Sequence, residues 1–234
     1  MTALVAVSHG TADPLGQERI ALLVRSVAED VHLAHVDVQS PRVQDVLNSL
    51  PPGRPAVVVP VLLSSGYHVK VDLHEAAVAA DRPVSVAPAL GPDDRLVDVL
   101  VQRALESGFV RGHHQLVLGA AGSTDAGAID DCRAVAERLA ERLETPVNDA
   151  YLSAARPGIA VAVGRRCREG PGRPVMVLSY LLAPGYFQSL LIAEATAAGA
   201  ERVTVPLLGE SGPVPEELVQ LVLTRSAQRG VVLR

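Results

Sequence analysis

The chain contains RPAVVVPVLLSSGYHVKVDLHEA at residues 54–76 and a second version of it, RPVMVLSYLLAPGYFQSLLIAEA, at residues 173–195. Both begin with Arg-Pro and a run of apolar residues, continue through Gly-Tyr and end with Glu-Ala. A short Val/Leu run, a glycine and then a longer amphipathic segment predict a buried strand, a loop and a helix. The repeated segment therefore predicts one strand–loop–helix unit that occurs twice.

Two further segments repeat in the same order around it. LVAVSHGT at residues 4–11 matches LVLGAAGS at residues 116–123, and APALG at residues 87–91 matches VPLLG at residues 205–209. Three matches in one order indicate an internal duplication rather than a chance likeness.

The duplication predicts two similar lobes, an N-terminal one at residues 1–111 that carries the site and a degenerate C-terminal one at residues 112–234. Gly112 interrupts both periodicities near the boundary. His113 and His114 are therefore expected to be linker or surface residues.

Short apolar runs alternate with longer amphipathic segments within each copy. This alternation predicts an α/β fold in which each lobe is a small parallel sheet flanked by helices. The strands of the first copy are predicted at residues 3–7, 34–38, 56–62 and 84–87. Its helices are predicted at residues 14–30, 42–50, 69–80 and 93–107.

The composition excludes several classes of protein. Hydrophobic residues make up 48% of the chain and aromatic residues only 3%, which is typical of cores built from Val, Leu and Ala. A net charge of −5 argues against a nucleic-acid binder. No apolar run approaches the roughly 20 residues of a membrane helix, and the two cysteines, which lack metal-binding spacing, suit a reducing compartment. We expect a cytoplasmic protein without membrane or nucleic-acid partners.

His9, Asp37 and His68 are the candidate site residues. His9 follows the first predicted strand, Asp37 lies near the end of the second and His68 follows the third. Ligands of parallel sheets bind beyond the carboxyl ends of the strands, so these residues are expected to meet there. Imidazole binds transition metals and exchanges protons near neutral pH, and a carboxylate adds a ligand or a fixed charge. The second copy has Ala121 and Phe187 in place of the two histidines.

Other interpretations of these residues stay open. One histidine at a strand end is usually structural, but two at equivalent edges favour a site. Asp37 is otherwise an ordinary loop acid, and His35 is an additional candidate ligand. Lys70 is either a surface group or an anion contact. Gly10 and Gly66 either form turns or leave N–H groups free to face a carboxylate.

The sequence resembles the sirohydrochlorin chelatases, the class II tetrapyrrole chelatases of cobalt and iron insertion. The resemblance lies in His-Gly after the first strand, PVLLSSGYH at residues 60–68 with Asp72 beyond it, and APALGP at residues 87–92. It covers nearly the whole chain and matches the long, duplicated form, in which one chain supplies both lobes. Asp37 falls where the family often has glutamate, a side chain one methylene longer.

The resemblance implies an activity and its partners. A ferrochelatase or cobaltochelatase, a lyase of siroheme or cobalamin biosynthesis, inserts Fe²⁺ or Co²⁺ as substrate into sirohydrochlorin and needs no organic cofactor. His9, His68 and Asp37 would bind the metal and accept the pyrrolic protons, while Gly10, Gly66 and Lys70 would contact the carboxylates of the tetrapyrrole. The two lobes would act as a pseudo-dimer within a monomer. A non-catalytic carrier of metal or tetrapyrrole is the alternative, and the preference among iron, cobalt and nickel stays open.

Overall fold

The computed structural model describes residues 2–64, 66–228 and 232–233, and only the backbone of residues 67–70, 232 and 233. The strands are Ala3–Ser8 (β1), Val31–His35 (β2), Ala56–Pro60 (β3), Val84–Val86 (β4), Gln115–Ala120 (β5), Val147–Tyr151 (β6), Val175–Tyr180 (β7), Arg202–Val203 (β8) and Val232–Leu233 (β9). The helices are Pro14–Val27 (α1), Val43–Ser49 (α2), Tyr67–Val78 (α3), Asp94–Glu106 (α4), Ala126–Leu143 (α5), Ile159–Glu169 (α6), Tyr186–Ala197 (α7) and Glu216–Ala227 (α8).

Aspartates begin three of these helices. The carboxylate of Asp13 accepts a hydrogen bond from the Gly16 N–H at 2.8 Å before α1, and Pro14 occupies a first-turn position that needs no N–H donor. Asp93 before α4 and Asp125 before α5 accept first-turn N–H groups in the same way. Such caps satisfy donors that have no partner within the helix, and each stabilises it by about 1 kcal/mol.

The first compact unit comprises Met1–Gly91 and Val214–Arg234 (unit 1). Its sheet has the order β2-β1-β3-β4-β9, in which the first four strands are parallel and β9 is antiparallel to β4. The strand side chains include Val5 and Val58, which are fully buried. Burying a valine contributes about 1.5–3 kcal/mol, so the sheet supplies much of the driving force for folding.

The second compact unit comprises Pro92–Pro213 (unit 2). Its parallel sheet has the order β6-β5-β7-β8. The two sheets repeat the same strand order, because β5 to β8 take the places of β1 to β4. The predicted α/β class with two duplicated lobes is confirmed.

The last helix of each sequence copy belongs to the other compact unit. Helix α4 ends the first copy but packs on α5 and β7 in unit 2, and α8 ends the second copy but packs on α1 and β3 in unit 1. The predicted lobe boundary between residues 111 and 112 was placed where the sequence repeat begins again, and it stays a prediction. The compact units divide after Gly91 and after Pro213.

Two buried arginines fasten the exchanged helices. Arg225 of α8 donates to the carbonyls of Ala89 and Leu90, both at 2.8 Å, and Arg103 of α4 donates to the carbonyl of Leu207 at 2.9 Å. The acceptors lie in the equivalent loops after β4 and β8. Buried carbonyls need such donors, so each copy of the chain completes the loop of the other copy.

The second strand differs from its prediction. It was expected at residues 34–38 but spans Val31–His35, and the preceding helix ends at Val27 rather than at Asp30. After His35 the chain bends, and Val38 has a left-handed backbone conformation with φ +63°. A β-branched residue in that conformation belongs to a turn, which places Asp37 in the loop beyond the strand. In the described part of the chain, no helix has the length and apolar character needed to span a membrane.

We predict that Arg225→Ala lowers the free energy of unfolding by about 2–4 kcal/mol, because two buried carbonyls lose a charged donor. Arg202→Ala, at an exposed arginine, is the control and should change it by less than about 0.5 kcal/mol. Urea denaturation followed by circular dichroism measures both changes. Equal stability of the two variants would contradict the anchoring role of Arg225.

Candidate active site

His9 lies at the carboxyl edge of the sheet of unit 1. It directly follows β1, which is flanked by β2 and β3 in a parallel register, so the loops after all three strands leave the sheet at this edge. The side chain of His9 is exposed. The predicted position of His9 at an accessible sheet edge therefore agrees with the structure.

Asp37 is held beside His9 through the backbone. The Asp37 N–H donates to the carbonyl of His9 at 2.9 Å, so the loop after β2 remains paired with the loop after β1. The structure thus brings two of the three predicted site residues together at one edge.

Gly10 permits this close approach of the two loops. It has φ +93°, and a Cβ at this position would lie far inside contact distance of the Asp37 carbonyl oxygen. Only glycine has both the left-handed backbone conformation and the missing side chain that the contact requires. The structure therefore gives Gly10 a turn and packing role. Its contact with a substrate carboxylate stays a prediction.

The carboxylate of Asp37 is held in its charged form. The Val38 N–H donates to Asp37 Oδ1 at 2.8 Å and is the main cause of a lowered pKa for this carboxyl. The Arg42 guanidinium, whose Nη1 lies 3.3 Å from the same oxygen, lowers the pKa of Asp37 further. An ionised carboxylate beside an imidazole suits both a divalent cation and the charge that develops on a protonated histidine.

Arg42 is a residue of this site that the sequence did not reveal. It is the N-cap residue of α2, and its Nη1 also donates to the Val36 carbonyl at 2.5 Å. The sequence shows it only as the start of a predicted helix. Because the turn at residues 36–40 folds back on itself, an arginine five positions after Asp37 reaches the carboxylate.

A second side-chain contact ties the same two loops together. The amide oxygen of Gln39 accepts a hydrogen bond from the Thr11 N–H at 2.8 Å, and the Gln17 amide donates to the Thr11 carbonyl at 2.8 Å. These contacts order the loop immediately after His9.

His35 lies under the site rather than in it. Its side chain is 4% exposed, and its Nδ1 shares a hydrogen bond of 2.8 Å with the Ser8 hydroxyl. Burial, and then the positive charge of Arg42, lower the pKa of His35, so the imidazole stays neutral near neutral pH. These contacts favour a structural role for His35, so Asp37 is the more accessible of the two candidates for a third ligand.

The third loop begins helix α3. Gly66 is the N-cap residue of α3 and makes no side-chain capping hydrogen bond. The helix starts at Tyr67, so His68 is its second residue. Since β3 neighbours β1, this helix start lies at the same edge as His9. The side chains of His68 and Lys70 lie outside the described residues. Among the side chains that are described, no group of three His, Cys, Asp or Glu residues could hold a metal ion.

Unit 2 repeats the backbone of this site without its chemical groups. The Ser153 N–H donates to the Ala121 carbonyl at 3.0 Å, as Asp37 does to His9, and Gly122 has φ +91°, as Gly10 has +93°. Ala121 and Ser153 thus replace His9 and Asp37 on an equivalent pair of loops. The fold requires the glycine and the backbone bond, but neither the imidazole nor the carboxylate.

Three further histidines are His74 of unit 1 and His113 and His114 of unit 2. His74 on α3 and His113 before β5 are exposed. The expectation for His114 is wrong, because its side chain is 4% exposed, accepts the Val110 N–H at 3.0 Å through Nδ1 and places Nε2 3.4 Å from the Glu201 carboxylate. His114 is a structural residue of unit 2 rather than a linker residue.

Comparison with known proteins gives consistent results for the whole chain. A family model described as CbiX matches residues 3–107 and again residues 115–229. No curated protein matches the sequence.

Three solved structures resemble this chain over nearly its full length. SirB from Bacillus subtilis with Fe³⁺ is 19% identical, with a TM-score of 0.81 over 97% of this chain and 95% of that chain. The sirohydrochlorin chelatase SirB from Bacillus subtilis subspecies spizizenii in complex with cobalt is 16% identical, with a TM-score of 0.76 over 97% and 95%. CbiX, described as the terminal enzyme for biosynthesis of siroheme in denitrifying bacteria, is 19% identical, with a TM-score of 0.68 over 95% and 98%. At these identities the likeness establishes the fold.

We predict that Gly122→Ala lowers the free energy of unfolding by about 2–4 kcal/mol. The alanine Cβ would clash with the Ser153 carbonyl, and the alanine backbone would have to adopt a left-handed conformation. Gly172→Ala is the matched control in the same unit, since it has φ +81° and open space around it. Gly172→Ala should lower the free energy of unfolding by only about 1 kcal/mol. Denaturant unfolding measures both changes. An equal loss of unfolding free energy in the two variants would show that the loops do not approach closely at Gly122.

Proposed function

The chain belongs to the CbiX family, and we propose that it is a chelatase that inserts a divalent metal ion, Fe²⁺ or Co²⁺, into sirohydrochlorin. The observation that carries this proposal is the chemical difference between two equivalent loop pairs. His9 and Asp37 stand on one pair, and Ala121 and Ser153 stand on the other. Groups that the fold does not need, kept together at an accessible sheet edge, are best explained by catalysis.

The reaction requires a metal ligand and a proton acceptor. As the metal enters the macrocycle, two pyrrolic nitrogens lose their protons, and a neutral imidazole can bind the ion or take up a proton. We assign these roles to His9 and His68. Asp37, kept ionised by the Val38 N–H and by Arg42, supplies a third ligand or stabilises the protonated imidazole. Arg42 acts through Asp37 and is a positioning residue.

The substrate is anionic, so its carboxylates need donors at this edge. Lys70, which follows His68 on α3, and the N–H groups near Gly10 and Gly66 are our candidates. Gly66, the N-cap residue of α3, has no side chain that could accept the first N–H groups of the helix, and we assign these N–H groups to a substrate carboxylate. The reaction, a lyase activity of siroheme or cobalamin biosynthesis, needs no organic cofactor in this mechanism.

The metal itself is a substrate, and the ligand set does not select one ion. Imidazole and carboxylate accept iron, cobalt and nickel, so geometry and cellular supply decide which ion enters. The similar SirB structures hold Fe³⁺ in one case and cobalt in the other. We propose Fe²⁺ and Co²⁺ as the two substrates, in a reducing cytoplasm that suits the free thiols of Cys132 and Cys167.

We also propose that the protein acts as a monomer. One chain already contains both sequence copies, and each copy completes the unit of the other copy through α4 or α8. Light scattering at micromolar concentration should therefore give a mass near 24.5 kDa. A dimer that persists on dilution would overturn this proposal.

The function is tested by anaerobic absorption spectroscopy of sirohydrochlorin with Fe²⁺, Co²⁺ and Ni²⁺ in turn. We expect the wild-type protein to accelerate insertion of Fe²⁺ or Co²⁺. His9→Ala and His68→Ala should each lower the single-turnover rate by about 100-fold or more, and Asp37→Ala by about tenfold, since water replaces a carboxylate better than it replaces an imidazole.

His113→Ala is the matched control, because it removes an exposed histidine far along the chain from the edge of unit 1. Its rate should stay within about twofold of the wild type. Titration with metal-free sirohydrochlorin separates an enzyme from a carrier. Binding without accelerated insertion by the wild type would favour the carrier, and normal insertion by His9→Ala would exclude the assigned site.

A further inference from the structure

A buried side-chain hydrogen bond lies just before the two candidate site residues of unit 1. The Ser8 hydroxyl and Nδ1 of His35 share it at 2.8 Å, and both residues are buried. Ser8 ends β1 directly before His9, and His35 ends β2 two positions before Asp37. The bond therefore joins the two strands at the points where the loops of the site begin.

A second side-chain hydrogen bond lies just after these residues. The half-buried Gln39 accepts the Thr11 N–H through its amide oxygen at 2.8 Å. Thr11 and Gln39 each follow a candidate site residue by two positions. We call the Ser8–His35 and Thr11–Gln39 hydrogen bonds together the cross-loop clamp. Along both segments, the clamp encloses the backbone hydrogen bond that joins the two loops.

Unit 2 forms the same turn with the same backbone bonds. The Ala155 N–H donates to the Ser153 carbonyl at 2.6 Å, the distance at which the Gln39 N–H donates to the Asp37 carbonyl. The register of β5 with β6 also repeats that of β1 with β2 up to the ends of the strands. The backbone of the turn is thus formed equally well in both copies.

Unit 2 has no side chains that could form the clamp. Ala120 takes the place of Ser8 at the end of the central strand, and Ala155 takes the place of Gln39 in the turn. Alanine has neither a side-chain donor nor a side-chain acceptor. The turn therefore does not need the clamp, and the clamp occurs in the copy that has the imidazole and the carboxylate.

The clamp restricts a motion that the backbone bond alone permits. Two loops joined by one hydrogen bond can still rotate about it, whereas bonds on either side of it hold them at one angle. Side chains that act together must be held to within about 0.5 Å. A displacement of about 1 Å can lower a catalytic rate about 100-fold. The clamp thus supplies what a pair of groups on two different loops requires.

We propose that the cross-loop clamp positions His9 and Asp37 for metal insertion. Ser8 and Gln39 are then positioning residues of the reaction. Each of them is engaged with a partner inside the clamp, so they act through the candidate site residues and not as ligands. The inference rests on the proposed function and extends it.

Amide hydrogen exchange, followed by NMR on the full chain, tests the clamp without any substrate. After correction for intrinsic rates, the Asp37 N–H should exchange more slowly than the equivalent Ser153 N–H of unit 2. Gln39→Ala should accelerate exchange of the Asp37 N–H about fivefold, the factor expected for one lost hydrogen bond. Gln39→Glu keeps an oxygen acceptor and should preserve the protection. Exchange of the Ser153 N–H should stay the same in both variants.

Single-turnover insertion at saturating substrates tests the positioning role. Gln39→Ala should lower the rate about tenfold, whereas Gln39→Glu should stay within about threefold of the wild type. The Kd for metal-free sirohydrochlorin should change less than about twofold in both variants, because the clamp holds no substrate group. Gln39→Ala should melt like the wild type, since Ala155 occupies the same turn in unit 2.

Ser8→Ala tests the other bond of the clamp. It should lower the insertion rate about tenfold as well. Because it leaves the buried imidazole of His35 without its partner, it should also lower the melting temperature by about 2–4 °C. Gln44→Ala is the matched control, since Gln44 is another half-buried glutamine of unit 1 and donates to Asn48 within α2 at 3.0 Å. Its insertion rate and its Asp37 exchange should stay within about twofold of the wild type.

The outcomes separate this inference from the proposed function. If the wild type inserts metal, and Gln39→Ala leaves either the Asp37 exchange or the insertion rate unchanged, the clamp has no positioning role and the chelatase remains. A rate loss that comes with a lower melting temperature and is not recovered in Gln39→Glu would show a purely structural role and would also overturn the inference. If the wild type does not metallate sirohydrochlorin, the proposed function fails and the positioning role fails with it.

Discussion

One backbone hydrogen bond governs the geometry of the candidate site. The Asp37 N–H reaches the His9 carbonyl only because Gly10 has no side chain, and this contact joins the loops after the central strand and its neighbour. A loop anchored in this way has few accessible conformations, so the conformational entropy of positioning His9 and Asp37 is lost during folding rather than during binding. The same turn directs the Val38 N–H and the Arg42 guanidinium to the carboxylate, so the geometry and the charge state of Asp37 have a common origin.

The duplicated backbone shows which features belong to the fold and which belong to the chemistry. Unit 2 has Gly122 and the backbone hydrogen bond from Ser153 to Ala121, although these loops position no imidazole or carboxylate in the places of His9 and Asp37. A duplicated site that no longer needs its reactive groups is free to change its side chains at little cost to stability, because they are exposed. Phe187, which stands where the first copy has His68 and is 41% exposed, is a change of this kind.

The sequence predicted the parts of this structure that depend on local pattern. The alternation of short apolar runs with longer amphipathic segments gave the α/β class and most element positions, because burial patterns act within a few residues. The position of β2 was missed, since the turn at Val38 ends a segment, Ala-His-Val-Asp-Val at residues 34–38, whose alternation of apolar and polar residues is typical of a strand. The burial of His114 and the role of Arg42 depend on contacts with residues distant in the chain or on the path of a turn, and no periodicity reports these. The exchange of α4 and α8 also leaves no trace in the pattern, because an amphipathic helix does not specify which of two similar sheets it covers.

Because of the exchanged helices, the two units are completed at different times during synthesis. Unit 2 is a single segment, Pro92–Pro213, whereas unit 1 is interrupted by it and needs α8 from the end of the chain. Arg225 and its acceptor Ala89 are separated by 136 residues. Chains leave the ribosome amino end first, and contiguous domains fold as units. All of unit 2, which lacks His9 and His68, is therefore synthesised before unit 1 is complete. The lobe that carries His9 is the first to be translated and the last to be closed, and a nascent chain that stops early would expose its uncovered sheet to other proteins.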